Sequence, residues 1–241
     1  TTSHPSNPDV RAYALNARSR QLLEAIRCWP AEAHATPVLH MAVVADADAH
    51  VHFDAAPQGV DALNWIVDVP VLEQQLTQAV QFQPLISVVD TPQPATLTVV
   101  CEGRASTTRD EFGVEFETHR YAQTAVAARV ESSLPHQQTA RQWFSEGEVT
   151  ALLPMQGPEG NFHALVWSVS PERAQALMQH TDLVSRACPT TRQHQPGDVI
   201  VFFSVKCVVF AHETIVRHIV DKLKQKQACL ARPFVCFKTQ P

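Results

Sequence analysis

The stretch that most limits the fold runs from residue 114 to residue 169. Within it, "YAQTAVAARVESSLPHQQTARQWF", Tyr121 to Phe144, reads as two long strands joined at "SLPHQ". Strands are expected at 114–131, 139–145, 148–154 and 161–169. Strands in succession with short connections pair antiparallel, because a parallel crossover needs a dozen or more residues between strands. Helical patterning flanks this block. "SRQLLEAIRCW" (19–29) has Leu22, Leu23, Ile26 and Trp29 at helical spacing. "VPVLEQQLTQAV" opens on Pro70, and "SPERAQALMQ" offers Ser170 as N-cap, Pro171 at the first position and Glu172 in the first turn. "TPVLHMAVVADADAHVHFDA" reads as a hairpin turning near Asp46–Ala49, "ALNWIVD", "ISVVD" and "ATLTVVCEG" as strands, and "RASTTRDEFG" as a short helix or turn. The expected class is α+β, a mixed, mostly antiparallel sheet with flanking helices.

Composition narrows the function classes. A net charge of -5 gives no general attraction to nucleic acid. The longest apolar run, "DVIVFFSVKCVVFA", has about 13 residues after its Asp and contains Lys206, against the roughly 20 that cross a bilayer, so no transmembrane segment is expected. The polar N-terminus has no signal-peptide core and no initiator Met, as expected of a processed chain or a piece of a longer one. The six cysteines form no C-x-x-C pair, which points to reduced thiols in a cytoplasmic setting and to no zinc site. His50 and His52 share one side of a strand, but the sequence places no further ligand beside them, and no metal is expected. All five lysines lie beyond residue 200; residues 1–200 carry twelve Arg against 22 acidic residues, and residues 201–241 carry five Lys and two Arg against Glu213 and Asp221. Residues 201–241 therefore read as basic against an acidic body, with a strand expected at 198–210 and an amphipathic helix carrying Ile215, Ile219, Val220 and Leu223 on one face. A basic helix on an acidic body and a tail of separate origin both fit this pattern. The "KLKQKQ" run reads as a solvated face, with a peripheral membrane contact as the minor reading.

The order and spacing of "YAQTAVAARV", "PHQQTARQWF", "VTALLPM" and "NFHALVWSVSPERA" resemble the substrate domain of the ubiquinone-biosynthesis hydroxylases. These are FAD-dependent aromatic monooxygenases with the para-hydroxybenzoate hydroxylase fold. "NPDVRAYALNARSRQLLEAIRCWP" and "TPVLHMAVVADADAHVHF" resemble upstream segments of that family, and "VVCEGRAS" resembles its Ala-Asp-Gly-x-x-Ser motif. The resemblance covers about residues 8 to 180, and it implies a division into a hydroxylase-like unit, 1–180, and a divergent basic tail, 181–241. It implies hydroxylation of a prenylated phenol by FAD, NAD(P)H and O₂. It also implies cofactor contacts at Arg11, Glu102, Gly103 and Ser106, and an aromatic pocket lined by Trp143, Phe144, Leu153, Pro154 and Trp167. It assigns no catalytic residue. The bland alternatives are a strand-to-helix turn capped by Ser106, a solvated Arg11, and ordinary sheet core for the five apolar positions.

The sequence departs from the family where the flavin is held. Its seven glycines include none before Gly59, so no G-x-G-x-x-G turn precedes the helix at 19–29. The glycines of that turn let backbone approach the pyrophosphate at a helix N-terminus. The only Gly-Asp, Gly197-Asp198, is followed by "VIVFF" and not by Ala-Ala-His; Glu102 stands in place of the family's Asp, and Pro70 stands where many members have Arg. In such enzymes the flavin does the oxygen chemistry and the protein supplies its position. Two expectations follow: a member of the family that is truncated and inactive alone, or a non-catalytic binding or scaffold protein. The second would hold a prenylated aromatic, or pair as a homo-oligomer or with a full-length homologue. Separating the flavin half from such a fold should also leave a large apolar face open.

Overall fold

The computed structural model describes residues 9–45, 49–91, 93–103, 106–115, 121–157, 159–178 and 202–207. The elements in chain order are β1 (Ala12–Leu15), α1 (Ala17–Ala25), β2 (Ala35–Val38), β3 (His40–Ala45), β4 (Ala49–Asp54), β5 (Asn64–Asp68), α2 (Val69–Gln81), α3 (Thr107–Glu111), β6 (Thr124–Ser132), β7 (Thr139–Ser145), β8 (Glu148–Met155), β9 (Phe162–Val169), α4 (Pro171–Met178) and β10 (Phe202–Cys207). Short 3₁₀ turns at Glu32–His34 and Ala56–Gln58 link the early strands.

The strands form two sheets, one ordered β1-β5-β2 and one ordered β10-β6-β9-β8-β7-β3-β4. Each ladder is antiparallel except the pairing of β3 with β7, where His40 lies opposite Thr139 and Val44 opposite Trp143. The α+β expectation, a mixed and mostly antiparallel sheet with flanking helices, describes this arrangement.

Alternation along the strands sorts side chains into stacked layers. On one face of the large sheet Val126, Ala128 and Val130 of β6, Leu165, Trp167 and Val169 of β9, Leu152 of β8 and Trp143 of β7 pack under Ala174 and Leu177 of α4. On the opposite face Ala140, Met155 and Ala164 meet Val38 and Ile66 of the small sheet. The far side of the small sheet, with Trp65 and Val67, is covered by Leu23 of α1 and by Leu72 and Leu76 of α2. Trp29 and Trp65 meet edge to face at 6.2 Å, with the Arg20 guanidinium over both rings.

Local chemistry explains the helix bounds. Asn16 caps α1 by accepting from the Ser19 amide at 2.9 Å. The helix ends at Ala25, one turn short of the periodic stretch, as Arg27 enters the left-handed region at φ 59°. Leu22 and Ile26 face solvent. Ser170 caps α4 through the Arg173 amide, as its sequence suggests. β6 begins at Thr124, ten residues after the expected start at 114.

Two expected strands do not form. "ISVVD" and "ATLTVVCEG" belong to neither sheet. A strand needs a neighbour for its backbone groups and a surface for its apolar face. The described residues supply neither here, and Leu85 and Val88 are 87% and 80% exposed. Of the expected tail strand at 198–210, the described residues form β10, which pairs with β6 from Phe202↔Ser132 to Cys207↔Ala128, and the other positions lie outside the described residues. The expected tail helix, with Ile215, Ile219, Val220 and Leu223, lies outside the described residues.

Candidate functional site

Glu102, Gly103 and Ser106 share one turn ahead of α3. Gly103 has φ +73°, a conformation that L side chains avoid, and a Cβ there would meet nothing within 4 Å. Ser106 caps α3 by accepting from the Arg109 amide at 3.1 Å, and its hydroxyl donates to Glu102 Oε2 at 2.8 Å. Thr108 donates to the same carboxylate from its amide at 3.2 Å and from its hydroxyl. These donors, with the Thr108 hydroxyl foremost, hold the Glu102 carboxyl below its usual range. The turn borders an open cleft of about 630 Å³, walled by Thr98, Val100, Phe112 and Val114.

The structure ties Arg11 into a different set of partners. Its guanidinium meets Asp9 at 2.6 Å and Glu73 of α2 at 2.9 Å. The Asp9 bond is the main cause of a raised Arg11 and a lowered Asp9.

The five apolar positions are divided between surfaces. Trp143 and Trp167 lie in the core under α4. Pro154 is fully buried opposite His163, and Leu153 packs toward the small sheet. Phe144 is exposed. Trp167 is further anchored by its indole N–H donating to Glu148 at 3.1 Å, with Arg173 over its ring and bonded to the same Glu148 at 2.8 Å.

Two features escaped the sequence reading. Arg129 stands among apolar residues of β6 and reaches across to the small sheet. It donates to the carbonyls of Val10 at 3.0 Å and Arg11 at 2.9 Å, and meets Asp68 at 3.2 Å. A lone arginine in "AVAARV" is the sequence signal for such a cross-layer tie. The second is a buried polar cluster at the sheet end. His163 bonds Ser132 at 3.0 Å through Nε2, His136 bonds the Met155 carbonyl at 3.0 Å, and the two rings meet edge to face at 5.6 Å. Burial, reinforced by His136 and Arg141, pushes His163 down to about 3; burial also lowers His136. His163 Nδ1 and Asn161 Oδ1 have no hydrogen-bond partner among the described residues.

His50 and His52 stack on β4 with ring centroids 6.4 Å apart, and His40 bonds Asp54 at 2.6 Å. Among the described residues no group of three or more potential ligands could hold a metal ion. No helix among them is long and apolar enough to cross a membrane.

No family model matches the sequence. The chain is 27% identical to the 3-demethoxyubiquinol 3-hydroxylase of Escherichia coli (strain K12) over 244 aligned positions, 81% of this chain and 62% of that enzyme. It resembles the ubiquinone-biosynthesis hydroxylases. Its fold is that of flavoprotein monooxygenases. The p-nitrophenol 4-monooxygenase PnpA of Pseudomonas putida DLL-E4 superposes with a TM-score of 0.54 at 14% identity, over 86% of this chain and 59% of that one. PqsL, a probable FAD-dependent monooxygenase of Pseudomonas aeruginosa, gives 0.53 at 16% identity, over 76% of this chain and 57% of that one. Another PqsL structure holds 2-aminobenzoylacetate. The chain thus spans about three-fifths of the length of the relatives it matches.

Proposed function

We propose that this chain supplies the substrate-side layers of a flavin-dependent hydroxylase acting on a prenylated phenol of ubiquinone synthesis, with FAD as cofactor and NAD(P)H as reductant. The carrying observation is the match to the Escherichia coli 3-demethoxyubiquinol 3-hydroxylase across 81% of the chain. In this reading residues 1–180 form the hydroxylase-like unit and 181–241 an added tail.

The described residues do not by themselves fit FAD. Glu102, Gly103 and Ser106 offer one open turn, but the carboxylate already accepts three local hydrogen bonds. Arg11 is engaged by Asp9 and Glu73, and the sequence contains no G-x-G-x-x-G turn. The open Gly103 backbone is the position best suited to touch an edge of the nucleotide. Of the five apolar positions, Trp143, Pro154 and Trp167 serve the core, which leaves Phe144 as the exposed aromatic among them. In this reading the 241 residues alone do not hydroxylate.

A second reading is a non-catalytic binding or scaffold protein. The addition of β10 to the β6 edge favours it, since part of the tail then completes the sheet. The absorbance spectrum of the purified chain, before and after incubation with FAD and desalting, tests both. The expected result is a colourless protein that releases all added FAD. Retained flavin bands would overturn the claim that this chain needs a further flavin-binding part.

A further inference from the structure

The connection between β6 and β7 is held by a histidine whose two ring nitrogens are both in use. His136 Nε2 lies 3.0 Å from the Met155 carbonyl, which can only accept, so that nitrogen carries the ring hydrogen. Nδ1 is therefore bare, and it accepts from the Gln138 amide at 2.9 Å. The His136 amide in turn donates to the Gly160 carbonyl at 2.8 Å. Between these ties Gln137 and Gln138 stand at φ 50° and 54°, two successive non-glycine residues in the left-handed region. The Gln138 carbonyl accepts from the amides of Leu39 at 2.9 Å and His40 at 3.3 Å, where the chain crosses from β2 of the small sheet to β3 of the large one. That crossover thus hangs on a turn that a neutral imidazole holds in shape.

The surroundings oppose an added proton. His163 of β9 meets the His136 ring edge to face at 5.6 Å. The Ser132 hydroxyl has one hydrogen, and the Leu134 carbonyl at 2.6 Å takes it. His163 then donates to Ser132 from Nε2, which leaves its own Nδ1 bare and without a partner among the described residues. Arg141 of β7 acts on His136 as a like charge, and Arg129 of β6 contacts the Met155 sulfur while paired with Asp68. Glu131 of β6 accepts from the Asn161 amide group at 3.2 Å. Burial foremost, and Arg141 with it, keeps the imidazole neutral at neutral pH, against the pull of the Met155 carbonyl.

We propose that His136 is an acid-released latch between the two sheets: a proton on Nδ1 breaks the bond from the Gln138 amide, lets Gln137 and Gln138 leave the left-handed region, and withdraws the carbonyl that pins Leu39 and His40. The proton comes from solvent and no covalent bond changes. Separation starts at the first pair of the parallel ladder, His40↔Thr139. Arg129 still ties Val10, Arg11 and Asp68 to the large sheet, so the opening is local to the β2–β3 end.

The test is amide hydrogen exchange of the full chain at about pH 7.5 and about pH 5, each rate divided by its intrinsic value at that pH. Protection at Leu39 and His40 is expected to fall at least tenfold at the lower pH, while the β9 amides remain at least tenfold better protected than these two. His136→Asn sets an uncharged acceptor oxygen where Nδ1 stands and should keep both amides slow at both pH values. His136→Ala should leave both fast at both. No fall at Leu39 and His40, an undiminished fall in His136→Asn, or exchange that matches β9 at both pH values overturns the latch. If the Asn variant does not fold, ¹⁵N spectra of the imidazoles in the unaltered chain decide. Protonation of His136 Nδ1 with the same midpoint as the amide acceleration supports the latch, and a ring that stays neutral throughout that acceleration overturns it.

Discussion

The nine-residue strand β6 and the segment 82–101 are both rich in apolar and β-branched residues, yet they end in opposite states. β6 lies between β9 and β10, and Val126, Ala128 and Val130 are buried beneath α4. Residues 82–101 contain "ISVVD" and "TLTVV" with no ladder and solvent on their side chains. Strand propensity is a fitness for a pleated, half-buried surface and depends on neighbours. The difference between the regions is the company available, since their local sequences are alike.

The largest expected effect sits in the paired region. Trp167→Ala removes a fully buried indole together with its bond to Glu148 and the Arg173 contact. A loss of about 4 kcal/mol is expected, read from the urea midpoint. A loss below about 1 kcal/mol would mean that the α4 face is loosely packed and the contrast between regions is overstated.

An intermediate effect comes from pH. The unfolded chain protonates His163 near 6.5, whereas the folded chain resists to about 3. The folded value is depressed, so this stability is fully present above about pH 6.5 and is lost as pH falls toward 3. Between pH 7 and 5 the loss from His163 is about 2 kcal/mol, with His136 acting in the same direction. Denaturant midpoints across that range should slope accordingly, and His163→Gln should flatten the slope. An equal slope in the variant would place the titrating group elsewhere.

The smallest effect belongs to the unpaired region. Phe82→Ser alters an aromatic that is 83% exposed at the end of α2. The midpoint of the chain alone should move by less than about 0.5 kcal/mol. A drop of several times that size would show that Phe82 is covered in solution, and the comparison between regions would fail.

The paired region was legible because its patterns carry their own neighbours. Ser170 before Pro171-Glu172, Pro70 at a helix start and the closely spaced strands 139–169 each determine local structure by chemistry within a few residues. The segment at 85–101 was misread for the complementary reason, since no strand among the described residues pairs with it. The candidate site was legible only in part. Glu102 and Ser106 do meet, through a capping arrangement that four-residue spacing suggests. Which face each of Trp143, Phe144 and Leu153 would take depends on sheet register, and the separate engagement of Arg11 depends on how α2 packs. Neither is written in a short window. Arg129 and the His136–His163 pair went unnoticed because a buried polar group shows itself only once its partners on other strands are known.

The parallel pairing of β3 with β7 has a kinetic consequence. His40 finds its place beside Thr139, and the amides of Leu39 and His40 bond the Gln138 carbonyl, so a loop of roughly a hundred residues must close before either edge is satisfied. Neighbouring hairpins such as β7–β8 and β3–β4 can form while the chain is still being made, whereas the docking of β3 on β7 must wait for residues that emerge much later from the ribosome. Sequence separation of this kind slows folding. Residues 82–114 lie inside that loop, so they remain open throughout the slowest stage of the chain's assembly.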